Sequence, residues 1–187
     1  METPHLYLDT GILLDGILKR KQASLQLLEQ AKLEVSRGNW LCSTSRWTII
    51  EVLDNIQEER YVEKLRIDGH LLSRIRSLLG NRRQKEAGLK LLELDKVWLT
   101  VHDYIDNNCS FISCSHPRTV KMWDKAEDYC GATNIGSTDA LHLASAVLIG
   151  CNVLVSNDQD FIAIANEYIF ACHPHEVDTT ISKLNSL

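Results

Sequence analysis

The sequence predicts an α/β protein, a three-layer α/β/α sandwich around a short-stranded, mostly parallel sheet. Short apolar, β-branched segments such as residues 152–156 alternate with longer segments whose apolar residues recur every three or four positions. The 187 residues, 44% of them hydrophobic, are enough for one domain with a substantial core. We therefore interpret residues 1–187 as a single domain with a helical elaboration at about 58–110.

The first half of the chain carries two of the predicted strands. Residues 5–9 form the first strand, and leucines and isoleucines at helical spacing predict one helix from Ile12 to about Val35, kinked near Gly16. Residues 40–43 form the second strand. A hydroxyl side chain can then cap the helix that carries Glu51, and three residues are candidates for this cap: Ser43, Thr44 and Ser45.

The second half continues the alternation. Amphipathic segments at 60–79 and 84–106 are separated by a break at Gly80-Asn81. A strand at 111–113 precedes a helix that ends at Gly131, and Ser137 and Thr138 are expected to cap the next helix. The remaining elements are a helix at 138–149, a buried strand at 152–156, a short helix at 158–166 and a last strand within residues 167–173.

Composition and charge exclude several classes of protein. No apolar run approaches the roughly 20 residues that span a bilayer, and no signal peptide is visible, so we expect a cytoplasmic protein without a membrane partner. The net charge of −5 is not that of a basic nucleic-acid-binding domain. The six cysteines are expected to be reduced. Two clusters conceivable as zinc sites lack a standard spacing: Cys109, Cys114 and His116, and Cys172, His173 and His175.

Positive charge is concentrated in one part of the middle of the chain. Between Arg74 and Lys90 there is one anion, Glu86, among six cations: Arg74, Arg76, Arg82, Arg83, Lys85 and Lys90. Such a run is typical of a solvated helix face with a turn. The alternative is a surface that contacts phosphates.

Four acidic residues lie where a predicted strand stops or a predicted helix starts, each beside an apolar run: Asp9, Glu51, Asp139 and Asp158. Ligands of parallel sheets bind beyond the carboxyl ends of the strands, so these side chains can converge there. A buried carboxylate costs several kcal/mol unless it is paired or bound to a cation. Singly, Asp9 can instead cap the following helix, Asp139 and Asp158 can favour helix N-termini through the helix dipole, and Glu51 can be exposed.

An all-oxygen ligand set favours Mg²⁺ or Mn²⁺ over zinc. One or two such ions can activate water and stabilise a leaving oxygen, which is the chemistry of phosphodiester hydrolysis. His142 lies three residues after Asp139, on the same helix face. We interpret it as a packed residue that supports the site rather than as a ligand or general base.

Four segments together resemble the PIN domain, and particularly the VapC-like toxin ribonucleases: YLDTGILL, TIIEVLD, STDALHLASA and LVSNDQDF. The resemblance covers roughly residues 5–57 and 111–172. It implies an α/β/α sandwich and a Mg²⁺- or Mn²⁺-dependent ribonuclease that hydrolyses RNA. It also implies frequent homodimers and, in many members, an antitoxin protein that blocks the site.

The resemblance also implies roles for individual residues. Asp9, Glu51, Asp139 and Asp158 match the acidic quartet of the family, and Asp160 matches a further acid found in many members. Three residues match positions that assist the site: Thr10, Ser156 and Asn157. The segment between Glu51 and Asp139 is longer than in compact members, which leaves its role open between RNA binding, a dimer surface and a cover for the site.

Two other functions remain compatible with the sequence. One is a module on the same fold that binds RNA or protein without catalysis. The other is a metal-dependent phosphohydrolase that acts on DNA or a small phosphate ester.

Overall fold

The structure is a computed structural model that describes residues 3–79, 88–115 and 119–186. In these residues, five strands form one sheet: His5–Leu8 (β1), Leu41–Ser45 (β2), Ile112–Ser115 (β3), Val153–Val155 (β4) and Phe170–Cys172 (β5). The strand order is β3-β2-β1-β4-β5, and the pairings are parallel. The predicted α/β fold with a parallel sheet is confirmed.

The helices follow the strands along the chain and cover both faces of the sheet. The described helices are Thr10–Leu18 (α1), Gln22–Ser36 (α2), Arg46–Ile67 (α3), Leu72–Leu79 (α4), Leu91–Asn108 (α5), Thr119–Ala132 (α6), Ser137–Ile149 (α7), Gln159–Ala165 (α8) and Val177–Leu184 (α9), with a 3₁₀ turn at Pro174–Glu176.

The two faces of the sheet bury separate apolar layers. Leu6 and Leu8 point into a layer shared with α1, α2, α3 and α5. Tyr7 and Leu154 point the other way, into a layer shared with α6, α7 and α8. All four side chains are fully buried, as expected for a parallel strand whose alternate residues face helices on both sides.

The predicted helix over 12–35 is wrong, because the chain reverses between two helices. Lys19 ends α1 in the left-handed region at φ 51°, and α2 then begins at Gln22 and packs back on α1. Helical spacing of apolar residues persists across the reversal, so the pattern alone does not reveal it. The Oγ of Ser24 on α2 donates to Asp15 Oδ2 on α1 at 2.7 Å, which ties the two helices together.

Two other expectations are wrong, one lies outside the described residues, and one helix was not predicted. The first middle helix ends earlier, at Ile67, and Gly69 at φ 80° turns the chain into α4. The break predicted at Gly80-Asn81 lies outside the described residues. Helix α7 is preceded by Gly136 without a side-chain cap, so Ser137 and Thr138 do not cap it. The prediction also lacked α9, which packs on β4 and β5.

Other expectations agree with the structure. Ser45 caps α3, accepting the N–H of Thr48 at 3.3 Å. The six cysteines are free thiols. Among the described helices, none combines the length and apolar character needed to cross a membrane.

Candidate active site

The candidate site lies at the carboxyl edge of the sheet, where β1 and β4 lie side by side. The chain passes from β1 to β2 and β3 on one side, and β4 and β5 extend the other side, so the strand order reverses at this point. Ligands of open α/β sheets bind in the crevice that such a reversal creates. Asp9 directly follows β1, and residues 156–158 directly follow β4.

Asp9 is held by hydrogen bonds to both of its carboxylate oxygens. The N–H of Thr10 donates to Oδ1 at 2.7 Å, which caps α1, and the Oγ of Ser156 donates to Oδ2 at 2.6 Å. The backbone N–H of Asp9 also donates to Val155 O at 3.1 Å. Asp9 is thus both a helix cap and a carboxylate fixed between the two central strands.

Glu51 reaches the same place from the second turn of α3. Its Oε2 accepts from Thr10 Oγ1 at 2.5 Å and from His142 Nε2 at 2.5 Å. Burial alone raises the pKa of Glu51, but the hydrogen bonds and the charge of His142 outweigh it and hold that pKa below its usual value. The indole N–H of Trp47 also acts to lower the pKa of Glu51. This contact falls short of a hydrogen bond, because Trp47 Nε1 is buried without a hydrogen-bond partner among the described residues.

His142 is buried in the centre of the cluster and makes hydrogen bonds through both ring nitrogens. Its Nδ1 lies 3.0 Å from Tyr7 Oη, and Tyr7 Oη also lies 2.9 Å from Ser45 Oγ. Nε2 donates to Glu51 and lies 3.7 Å from Asp9 Oδ1. Burial lowers the pKa of His142, but hydrogen bonding to Glu51 and the nearby carboxylates raise it above its usual value. This raised pKa favours the protonated imidazole, whose positive charge would lie beside the carboxylates of Glu51 and Asp9.

Asp139 lies in the first turn of α7 with a half-buried side chain. Its pKa is raised, first by burial and then by the negative charges of Asp9, Asp158 and Glu51, while His142 partly offsets them. The other three predicted acids therefore lie within electrostatic reach of Asp139. Repulsion among carboxylates that share a site is the condition that a bound cation relieves.

Asp158 and Asp160 lie at the rim. The Oδ1 of Asp158 accepts the N–H of Asp160 at 2.9 Å and that of Phe161 at 3.1 Å, so Asp158 caps α8. Both acidic side chains are exposed. The fifth acid, Asp160, lies in the first turn of α8, and its role as a ligand stays a prediction.

A second buried carboxylate anchors the loop after β4. Asp15 is 5% exposed, and its Oδ2 accepts from Asn157 Nδ2 at 2.8 Å and from Ser24 Oγ at 2.7 Å. Asn157 joins Ser156 to Asp158, so this contact fixes the loop on which both of them lie. Our sequence analysis missed Asp15, although it lies inside the apolar run ILLDGIL, the same signal that singled out the other acids.

Tyr7 was also missed as a member of the site. Its place between Leu6 and Leu8 in a buried strand reads as core packing, and its ring does pack in the core. Only the three-dimensional structure brings its hydroxyl to His142, which is 135 residues away in sequence.

The donor chemistry of this cluster fits Mg²⁺ or Mn²⁺. The four acids offer carboxylate oxygens and no cysteine lies among them, and such oxygens are the ligands that hard cations prefer. Within the described residues, no three acidic, histidine or cysteine side chains are already arranged as a metal site. Several carboxylate oxygens are instead occupied by Thr10, Ser156, His142 and the α8 backbone.

The predicted cationic surface is described only in part. Arg74 and Arg76 are exposed on α4. Arg82, Arg83 and Lys85 lie outside the described residues. The zinc cluster that includes His116 also reaches beyond them, while Cys172, His173 and His175 are described and do not form a metal site.

A parallel sheet in this order, with a carboxylate cluster at its reversal point, defines an α/β/α protein whose acidic site suits divalent cations. The model of the PIN domain family matches residues 6–167, and the chain belongs to this family. PIN domains are typically nucleases. This match confirms the family that the sequence motifs predicted.

The fold is also similar to that of a solved structure, the crystal structure of VapBC2 from Rickettsia felis bound to a DNA fragment from their promoter. The similarity has a TM-score of 0.54 at 16% sequence identity, and it covers 90% of this chain and 98% of that chain. Likeness at this level concerns the fold. No curated protein matches this chain significantly.

Proposed function

We propose that this protein is a Mg²⁺- or Mn²⁺-dependent endoribonuclease, of the toxin-like PIN type, that hydrolyses RNA phosphodiester bonds. The observation that carries the proposal is the carboxylate cluster itself, in which His142 Nε2 lies 2.5 Å from Glu51 Oε2 and 3.7 Å from Asp9 Oδ1. The raised pKa of Asp139 agrees with it, because after burial its causes include the charges of Asp9, Asp158 and Glu51. These four carboxylates would hold the metal, and Asp160 is a fifth candidate. Membership of a family of nucleases supports the same chemistry.

The side chains around the quartet have positioning roles in this proposal. Thr10 and His142 hold Glu51, and Ser156 holds Asp9, so two candidate ligands are oriented before a cation arrives. The ions supply Lewis acidity, lowering the pKa of water and neutralising charge on the reacting phosphate. Asn157 keeps the loop between Ser156 and Asp158 in place through its contact with Asp15.

Substrate and partners follow from surfaces outside the quartet. We propose that the cationic stretch contacts RNA phosphates, with Arg74 and Arg76 exposed on α4 and with Arg82, Arg83 and Lys85 beyond the described residues. Replacing Arg82 and Arg83 by Ala should then weaken RNA binding and lower its salt slope.

We further propose a homodimer and an antitoxin partner for a protein that acts in the cytoplasm. Large apolar side chains are exposed on the middle helices, with Ile67 79% and Leu91 80% accessible, and association would bury them. Sedimentation at micromolar concentration that shows only monomer would contradict the homodimer. The antitoxin is proposed because members of the VapC-like group are commonly paired with one.

Cleavage assays with three acidic variants test the enzymatic proposal. Wild-type protein with Mn²⁺ should cleave RNA, whereas Asp9→Asn and Asp139→Asn should lose roughly a hundredfold or more of the rate, because a lost ligand removes most of the metal's contribution. The matched control is Asp95→Asn, which changes an exposed carboxylate near the start of α5 and should cleave like wild type. Equal cleavage by all four proteins would overturn the proposal.

Two further measurements separate the alternatives. Calorimetric titration with Mn²⁺ that shows no binding at millimolar metal would favour a non-catalytic binding module. Competition among RNA, DNA and a phosphomonoester would identify a phosphohydrolase with another substrate.

A further inference from the structure

A buried chain of hydroxyl groups leads from the middle of the sheet to the candidate site. Tyr7 Oη lies 2.9 Å from Ser45 Oγ, 3.3 Å from Thr48 Oγ1 and 3.0 Å from His142 Nδ1. All four of these side chains are at most 1% exposed. The far side of the imidazole then contacts Glu51 at 2.5 Å.

Packing alone does not explain a tyrosine at this position. The ring of Tyr7 fills the apolar layer between the sheet and α7, a task that phenylalanine would perform without bringing a hydroxyl group into the core. A buried hydroxyl is tolerated only when it is hydrogen-bonded, and this one has three partners. The hydroxyl of Tyr7 therefore has a purpose beyond filling space.

That purpose follows from what the imidazole does. The ring of His142 can hold Glu51 Oε2 only while its plane is fixed, and a hydrogen bond at Nδ1, on the opposite side of the ring, fixes that plane. Tyr7 Oη lies 3.0 Å from Nδ1 and is itself held by Ser45 Oγ at 2.9 Å. The imidazole and phenol rings are also in a T-shaped arrangement, with their centroids 6.0 Å apart and their planes at 63°.

We propose that Tyr7 is a positioning residue of the site: its hydroxyl fixes His142, and His142 in turn fixes Glu51 for metal binding. Glu51 has three side-chain torsions, so fixing its carboxylate for metal binding costs conformational entropy that a hydrogen bond from His142 offsets. Asp9 needs less support, because the backbone N–H of Thr10 already holds its carboxylate. Hydrogen-bond partners behind metal ligands typically change metal affinity or activity 10- to 100-fold when removed. The inference rests on the proposed function.

The test is Tyr7→Phe, which keeps the ring and removes only the hydroxyl. We expect Mn²⁺ affinity, measured by calorimetry, to fall about 10- to 100-fold. We also expect kcat for RNA cleavage to fall while KM for RNA stays unchanged. The matched control is Tyr61→Phe, which removes a hydroxyl from another buried tyrosine, in the separate cluster between α3 and α4. Tyr61→Phe should leave both the Mn²⁺ affinity and kcat unchanged.

Nitrogen-15 spectra of the His142 ring, recorded in EDTA, test the contact without metal or RNA. Tyr7→Phe should shift the Nδ1 resonance, and Tyr61→Phe should not. If Tyr7→Phe does not fold, Thr48→Val removes the hydroxyl that lies 3.3 Å from Tyr7 Oη and 3.5 Å from His142 Nδ1. Its expected loss of Mn²⁺ affinity is smaller, about threefold.

The outcomes separate this inference from the proposed function. Wild-type protein that neither binds Mn²⁺ nor cleaves RNA would overturn the proposed function, whatever the spectra show. Wild-type protein that does both, with Tyr7→Phe equal to it in affinity, kcat and the His142 resonances, would overturn the role of Tyr7. If Tyr61→Phe lost as much affinity as Tyr7→Phe, the effect would be general to buried tyrosines, and the role would again be refuted.

Discussion

Replacing Asp139 by Asn should stabilise the metal-free protein while it weakens metal binding. Burial is the first cause that raises the pKa of Asp139 above its ordinary value of 3.8. The charges of Asp9, Asp158 and Glu51 raise that pKa further, while His142 partly lowers it. When folding raises the pKa of a carboxyl group, the folded protein becomes less stable as the pH rises through that pKa. At pH 7.5 the ionised Asp139 therefore destabilises the fold.

The expected size of this gain is modest. Asp139 is half-buried, so solvent screens part of the repulsion, and its place in the first turn of α7 contributes about 0.3–1 kcal/mol that Asn would lose. Removing a destabilising functional residue commonly yields about 0.5–2 kcal/mol, and we expect about 1 kcal/mol here. For a chain of this length, 1 kcal/mol corresponds to a rise of about 2–4 °C in Tm.

Thermal unfolding with and without Mn²⁺ measures both effects. In EDTA at pH 7.5, Asp139→Asn should melt above wild type, and Asp95→Asn, with no such cluster around it, should not. At a metal concentration of 100 times Kd the wild type gains about 2.7 kcal/mol, and the order should reverse because the variant binds metal weakly. A Tm of Asp139→Asn in EDTA at or below that of wild type would refute the electrostatic reasoning.

Further predictions concern pH, backbone conformation and surfaces. In EDTA, protonated His142 should stabilise the fold below pH 6.5. As the pH rises from 6.5 through the raised pKa of His142, the free energy of unfolding should fall by up to about 1.4 kcal/mol per pH unit. Urea titrations of His142→Gln should not show this pH dependence. Gly150→Ala should cost about 1–2 kcal/mol in urea unfolding without changing cleavage per folded molecule, because φ is 81° and no atom blocks a Cβ. Asp15→Ala should slow cleavage roughly tenfold by freeing the loop after β4; an unchanged rate would contradict that anchor. Replacing Arg74 and Arg76 by Ala should lower the slope of RNA affinity against salt concentration, on logarithmic scales, by about 1.4. The same slope as wild type would show that these two side chains are solvated and do not contact RNA.

The fold could be predicted largely from the sequence because parallel strands buried on both faces are uniformly apolar. Residues 152–156 show this pattern, and the structure places β4 there. The reversal at Lys19 could not be predicted, since a left-handed residue there leaves the helical spacing of apolar residues intact. The helix α9 was missed for a related reason: it follows the last strand after a short 3₁₀ turn, without a glycine or a clear cap.

The residues of the candidate site could also be predicted only in part. Each of its four acids lies beside an apolar run, and that local signal, with the family motifs, was enough to name them. Asp15 carries the same signal and was overlooked, so that miss was avoidable. Tyr7 carries no such signal, because a tyrosine in a buried strand has the same pattern whether its hydroxyl has a function or not.

The sequence by itself determined which acidic residues lie at the strand ends and helix starts, and a parallel sheet brings those ends to one edge. Only the tertiary structure decided what holds the ligands. It placed the imidazolium of His142 between Glu51 and Asp9, and the hydroxyl of Tyr7 behind His142. Hydrogen bonds act over about 3 Å between residues that are distant in sequence, so their partners are set by packing and not by local pattern.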